Sequence, residues 1–260
     1  MSERLPRQIA AGTWWLGDCL DLPPDPNGKQ QHTYNSLYYV SGESSSMIVD
    51  TGHPKDWEAI GRQLSTIDAL GLPPVRWLFP THPEVAHAGN LGRLLARYPD
   101  ADVCGDVHDY QLAFPASRDR LRQMHLGEEI DLGGRSIVCV EAVFRDLISS
   151  IWAYDRREGV LFSGDGLGFC HYHGDGHCGL LTEEMPGLPI PEATGIFLEY
   201  SLYWTRLKDV EPHIARLDAL MNVDYRVEIV AAAHGSPIVS PEKTMPQIRE
   251  GLRQVTARRT

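Results

Sequence analysis

Val75-Arg76-Trp77-Leu78-Phe79-Pro80-Thr81-His82-Pro83-Glu84-Val85-Ala86-His87 carries an apolar, strand-like run straight into three potential metal ligands. His82 and Glu84 stand two apart in what reads as an extended turn, so their side chains can share one side. His87 is expected at the beginning of the helix that follows. The same arrangement recurs twice. Residues 160–162 lead into Ser163-Gly164-Asp165-Gly166, and residues 227–233 lead into His234-Gly235. Strand ends in α/β sheets converge on one crevice where ligands bind. His, Glu and Asp at three such ends therefore have the components of a metal cluster. Glycines beside Asp165 and His234 permit sharp turns and close approach of the backbone. Singly, each residue is ordinary: a lone His after a strand is usually a satisfied core or surface residue, and an Asp between glycines a turn residue. The joint pattern is what points to a site.

Outward from these segments, strands come first and then alternate with helices. Residues 13–16 and 34–40 read as early strands, separated by a loop at 21–28 rich in Pro, Asp and Gly. Residues 45–49 form another strand, ending in Asp50-Thr51-Gly52. Trp57, Ile60, Leu64 and Ile67 recur at helical spacing after Pro54, which suits a first-turn position. Leu91, Leu94 and Leu95 mark a second helix. Strands are expected at 136–142, 150–154, 160–162 and 227–233. A helical stripe runs through Leu207, Val210, Ile214, Leu217 and Leu220, and a charged, polar helix follows Pro241. No compositional break marks a linker, so one α/β domain is expected over residues 1–260. Trp14, Trp15, Tyr34, Tyr38, Tyr39, Tyr200, Tyr203 and Trp204 are assigned to packing.

A net charge of −11 argues against nucleic acid or an anionic membrane as partner. No apolar run reaches 18 residues, and the N-terminus lacks the apolar stretch of a secretory signal. Five cysteines (19, 104, 139, 170 and 178) in such a chain fit reduced thiols and a cytoplasmic location, with Cys139 buried.

Asp50-Thr51-Gly52, His82-x-Glu84-x-x-His87, Gly164-Asp165 and His234-Gly235 resemble, in order, the motifs of the metallo-β-lactamase superfamily, from about Thr13 to His234. Glu84, where most hydrolases of that superfamily have His, is similar to the flavodiiron and oxygen-binding diiron branch. So are 162–165, 233–235 and the segment from Glu199 through the next helix. The resemblance implies a four-layer αββα sandwich without the flavodoxin domain of full-length flavodiiron enzymes. It also implies two metal ions, one held by His82, Glu84, Asp146 and a bridging Asp165, the other by His87, His234 and the same Asp165. Asp50 would orient the site from behind.

Two positions depart from that branch: Ala86 stands where it has Asp, and Asp146 where it has His. The number of anionic ligands is unchanged, one having moved between metals. Oxygen-rich ligation without thiolate favours iron, with zinc or manganese as alternatives. The implied activity is binding or reduction of O₂ or NO, with electrons from an external donor and assembly with itself or a homologue. The alternatives are hydrolysis of an ester, lactone or ether by a metal-activated hydroxide, and a degenerate subunit paired with an active homologue. The segment 170–178, with His171, His173 and His177, reads as a polar loop or as a lid that supplies the missing ligand.

Overall fold

Side chains one residue apart on a strand face opposite sides of its sheet, and here that alternation sorts apolar neighbours into separate cores. The computed structural model describes residues 4–25, 27–172, 178–185 and 187–257. The first half of the chain contains β1 (Arg7–Ala10), β2 (Thr13–Leu22), β3 (Gln31–Ser41), β4 (Ser46–Val49), α1 (Trp57–Asp68) and β5 (Val75–Phe79). The single turn α2 (Val85–Ala88), α3 (Leu91–Arg97), β6 (Asp102–Gly105), the short α4 (Tyr110–Ala113) and β7 (Leu121–Gln123) complete it. Its strands form one seven-stranded sheet in chain order, antiparallel from β1 to β4 and parallel from β4 to β7.

The second half contains β8 (Glu129–Asp131), β9 (Ser136–Glu141), β10 (Ile151–Asp155), β11 (Val160–Gly164), α5 (Ile190–Ser201), α6 (Glu211–Ala219), β12 (Ile229–Ala232) and α7 (Pro241–Ala257). Its sheet has the order β12-β11-β10-β9-β8, with β11 and β12 parallel and the other pairs antiparallel. Parallel neighbours need a crossover, and α1, α3 and the α5–α6 pair supply it.

Trp15, Tyr38, Met47 and Phe79 from the first sheet pack against Cys139, Ala153, Phe162 and Ala231 from the second. Their neighbours Leu16, Tyr39, Ile48 and Leu78 face the other way, onto Ile60 and Leu64 of α1 and Leu91 and Leu94 of α3. Val138, Trp152, Leu161 and Val230 face outward from the second sheet onto Phe197, Ile214, Ile248 and Leu252. The layers are thus helix, sheet, sheet, helix, the expected αββα sandwich. Arg135 joins the two sheets internally: it pairs with Asp155 of β10 and donates to Ala11 O and Ser41 O, each at 3.0 Å.

Sequence periodicity located most of the longer elements; β1, β6, β7, β8 and the short α4 have no counterpart in it, and further differences stand elsewhere. Leu207 does not belong to the helical stripe: it is 64% exposed and precedes α6, which starts at Glu211 with Pro212 in its first turn. Leu220 begins a π-helical turn at the end of α6. The helix α5 has no counterpart in the sequence reading, because its unbroken buried run from Ala193 to Leu198 obscures any amphipathic period. Its partner α7 starts at Pro241 as expected but is amphipathic, burying Met245, Ile248, Leu252 and Val255. Pro54 opens a single 3₁₀ turn ahead of α1, with His53 accepting a hydrogen bond from Lys55 N at 3.1 Å.

Candidate metal centre

Four parallel strands end toward one another: β4 and β5 in the first sheet, β11 and β12 in the second. The residues just beyond them build the site. Asp50, after β4, has φ +57, a left-handed conformation that a non-glycine residue adopts only where the surroundings hold it. Its Oδ1 accepts from both the backbone N and the Oγ1 of Thr81, each at 2.8 Å, and its Oδ2 lies 3.1 Å from His87 Nδ1. Thr81 Oγ1 lies 3.2 Å from Nδ1 of both His82 and His87. Because the threonine proton goes to Asp50, that oxygen can only accept from the two rings. His234 Nδ1 faces the carbonyl of Tyr34 at 2.6 Å and must donate to it. In its neutral form each imidazole would therefore carry its proton on Nδ1, which would leave the Nε2 lone pair for a cation.

The Nε2 atoms meet carboxylates. Asp165 Oδ1 is 2.9 Å from His87 Nε2 and 3.3 Å from His234 Nε2. His82 Nε2 is 3.4 Å from Asp146 Oδ2 and 3.9 Å from Glu84 Oε2. Ser150 Oγ donates to Asp146 Oδ1 at 2.8 Å and leaves the other oxygen directed at His82. With bonds of about 2.1 Å, two ligands on one ion lie roughly 3.0 Å apart at a right angle and roughly 3.4 Å apart in a tetrahedron. Three of the four separations fall at or within about 0.1 Å of that range. The fourth involves Glu84, whose side chain is 53% exposed and has room to swing inward.

Ligand atoms group in two sets, each within 4.8 Å: His82, Glu84, Asp146 and Asp165 in one, and His82, His87 and Asp165 in the other. The first set is the one expected for one metal. The second differs from expectation, because His82 takes the place assigned to His234, which approaches through Asp165 alone. The rings of His82 and His87 lie 3.8 Å apart. His82 Nε2, His87 Nε2 and Asp165 Oδ1 are all buried; His87 and Asp165 face each other as an ion pair at 2.9 Å, and His82 Nε2 makes no hydrogen bond. A buried His82 Nε2 without a partner is costly, and the His87–Asp165 pair and His234 Nε2 converge beside it, so this donor set fits a metal ion.

The electrostatics agree. Burial, reinforced by charge on His87, pushes the His82 imidazolium down to about 4. Burial also lowers His234. For His87 burial acts in the same sense, but Asp50 and Asp165 outweigh it and hold the ring well above its ordinary value. Burial would raise Asp165, yet His234 and His87 keep it well below the usual carboxylate range. Glu84 is raised by burial and then by Asp146 and Asp165. Clustered carboxylates that repel one another are what a shared cation relieves.

Gly164, before Asp165, has φ +49, and a Cβ there would lie 2.9 Å from Thr81 Oγ1. The glycine thus lets the second sheet approach the threonine that aligns His82 and His87. Ala86 lies in the single turn α2 and offers no donor atom. His171 is fully buried; it pairs with His32 in a β-bridge and stacks on Tyr34 at 4.7 Å, away from the two ligand groups. It is therefore not part of a lid, and His173 and His177 lie outside the described residues. Of the aromatic set, Trp15, Tyr34, Tyr38 and Tyr39 are buried as expected, whereas Tyr200 and Tyr203 are each 55% exposed. Thr81 and Tyr34 position ligands; Thr81 was not singled out from sequence, its place beside His82 being the one available signal, and Tyr34 was assigned only to packing.

The sequence profile of the metallo-beta-lactamase superfamily matches residues 32–184. The chain is 26% identical over 168 residues to coenzyme F420H(2) oxidase of Methanothermobacter marburgensis, covering 62% of this chain and 42% of that protein. It is 23% identical over 222 residues to anaerobic nitric oxide reductase flavorubredoxin of Pectobacterium atrosepticum, covering 79% and 39%. Among solved structures, the flavodiiron protein of Giardia intestinalis superposes with a TM-score of 0.71 at 15% identity, over 96% of this chain and 59% of that one. The chain thus spans about two fifths of the curated relatives it matches. Among the described residues, no helix is long and apolar enough to cross a membrane.

Proposed function

The chain belongs to the metallo-beta-lactamase superfamily, and from that premise we propose that it is a non-haem diiron protein that binds or reduces O₂ or NO, with electrons from an external donor. His82, Glu84, Asp146 and Asp165 would hold one ion, and His87 and His234 the other, with Asp165 shared. The observation that carries this reading is the convergence of buried ligand atoms, with His82 Nε2 unpartnered beside the His87–Asp165 pair, within a set rich in carboxylate and imidazole. Such ligation suits iron. The relatives, a coenzyme F420H(2) oxidase and an anaerobic nitric oxide reductase, support the same chemistry.

When bound, the iron pair would supply open coordination positions and redox equivalents for a diatomic ligand. The protein's part is orientation and charge. Asp50, through Thr81 and directly, fixes the His82 and His87 rings with Nε2 inward, and Tyr34 O does the same for His234. Asp146, Asp165 and Glu84 bring three negative charges against the cations, and burial of Asp165 and the histidines keeps competing water away. Ala86 withdraws one carboxylate from the His87 side, which widens access there to a small ligand. The cysteine pattern and the fold of these relatives are consistent with a cytoplasmic protein that assembles with itself or with a homologue.

Elemental analysis of anaerobically purified protein tests the reading. About two irons per chain, with a visible absorption change on exposure to O₂ or NO, is the expected result. Zinc alone, with hydrolysis of esters or lactones, would replace it by the hydrolytic alternative.

A further inference from the structure

Apart from the metal centre, the structure brings together two sulfur atoms that the proposed chemistry does not use. Cys19 lies on β2, paired in register with Tyr34 of β3. Cys178 precedes Gly179, whose N–H donates to the Tyr34 hydroxyl at 2.6 Å and whose carbonyl accepts from Arg7 Nη1 at 3.0 Å. Tyr34 and Arg7 therefore bring the Cys178 backbone against β2, and the two thiols share a hydrogen bond. Cys19 Sγ also lies 3.7 Å from Nε2 of His171, whose ring stacks on Tyr34 with planes 15° apart. Both thiols are half-buried, whereas Cys104, Cys139 and Cys170 are buried.

We propose that Cys19 and Cys178 form an oxidisable dithiol, which a hydroperoxide converts to an intramolecular disulfide joining the segment after Cys178 to β2. The thiolate is the reactive form. The hydrogen bond from Cys19 lowers the Cys178 thiol and raises that of Cys19, which makes Cys178 the attacking sulfur. Burial pushes Cys139 and Cys170 up to about 12 and holds Cys104 well above its ordinary value, so these three stay unreactive. In the first step Cys178 sulfur attacks the peroxide, the O–O bond breaks, and a sulfenic acid and an alcohol (water, from hydrogen peroxide) form. In the second, Cys19 sulfur attacks the Cys178 sulfur. The S–S bond forms as the S–O bond breaks; the Cys19 proton passes to the adjacent His171 and from there to the departing hydroxide, which leaves as water. The two thiols lose two electrons and the peroxide gains them.

The test treats the reduced chain with one equivalent of hydrogen peroxide, blocks remaining thiols with N-ethylmaleimide, and maps peptides by mass spectrometry. The expected result is loss of two alkylatable thiols per chain and a single cross-linked peptide joining Cys19 to Cys178. Cys19→Ser should leave Cys178 as a sulfenic acid that dimedone traps, and Cys178→Ser should slow oxidation of Cys19 at least tenfold. The reaction should persist with a metal chelator present, which separates it from chemistry at the iron site. Oxidation of a different cysteine, a cross-link between chains, or a reaction abolished by the chelator would each overturn the proposal.

Discussion

Replacing Asp165 by alanine removes the carboxylate oxygen that lies 2.9 Å from His87 Nε2 and 3.3 Å from His234 Nε2 and that belongs to both ligand groups. Four-ligand protein sites bind their cation with about 10–16 kcal/mol, so one ligand in four carries roughly 3 kcal/mol, or about 100-fold in Kd. Asp165 is common to both groups, so each ion should weaken by roughly that factor and both should be lost together on dialysis. Asp165→Asn keeps the side-chain shape and loses the charge; it should release both ions as well, which separates charge from packing. Inductively coupled plasma mass spectrometry after dialysis reads the metal content. Circular dichroism of the metal-free proteins checks that the fold is retained. If the folded Asp165→Ala protein keeps two ions per chain, the shared carboxylate is not a bridge and the two-ion arrangement is wrong. If it keeps one, Asp165 serves a single ion, and the other depends on His82, Glu84 and Asp146.

Three other outcomes follow from named contacts. Asp50→Asn should weaken metal binding about 10–100-fold while leaving every proposed ligand in place, because it disturbs Thr81 and His87 behind them; unchanged affinity in a competition titration would remove Asp50 from the site. Asp155→Ala strands the buried Arg135 guanidinium between the sheets and should cost about 3–5 kcal/mol in urea unfolding, whereas a loss near zero would mean that water reaches Arg135. Arg7, through its hydrogen bond, holds Glu184 down to about 2, below its unfolded value of 4.5. The stabilisation is thus fully present above pH 4.5 and disappears as the pH falls toward 2. The pair is 25% and 41% exposed, so the difference between wild type and Glu184→Gln should stay below about 1 kcal/mol and vanish in acid; a pH-independent difference would contradict the ion pair.

Strand runs that stop at His82, Asp165 and His234 were visible in the chain because period-two alternation and terminal polar residues are local properties. Val75–Phe79 has the bounds read from sequence, and the ligand residues were identifiable because a strand of the parallel type must deliver its C-terminal residues to one crevice. The helix α5 was not visible, since its unbroken buried run from Ala193 to Leu198 obscures any amphipathic period. Nor was the direction of His171. Its sequence neighbours left a polar loop and a ligand-supplying lid both open, but the bridge to His32 and the stack on Tyr34 turn it toward Cys19.

Residue type and spacing along the chain pointed to one α/β domain and to His82, Glu84, His87, Asp165 and His234 at strand ends, because both are local properties; the four-layer sandwich and Asp146 came only from the resemblance to a family. Tertiary structure alone decided that Thr81 and Tyr34 aim the imidazoles, that Asp146 reaches His82, and that Cys19 meets Cys178. Those are contacts between residues distant in sequence, or choices of side-chain direction. Packing of the two sheets sets them, and no local pattern encodes them.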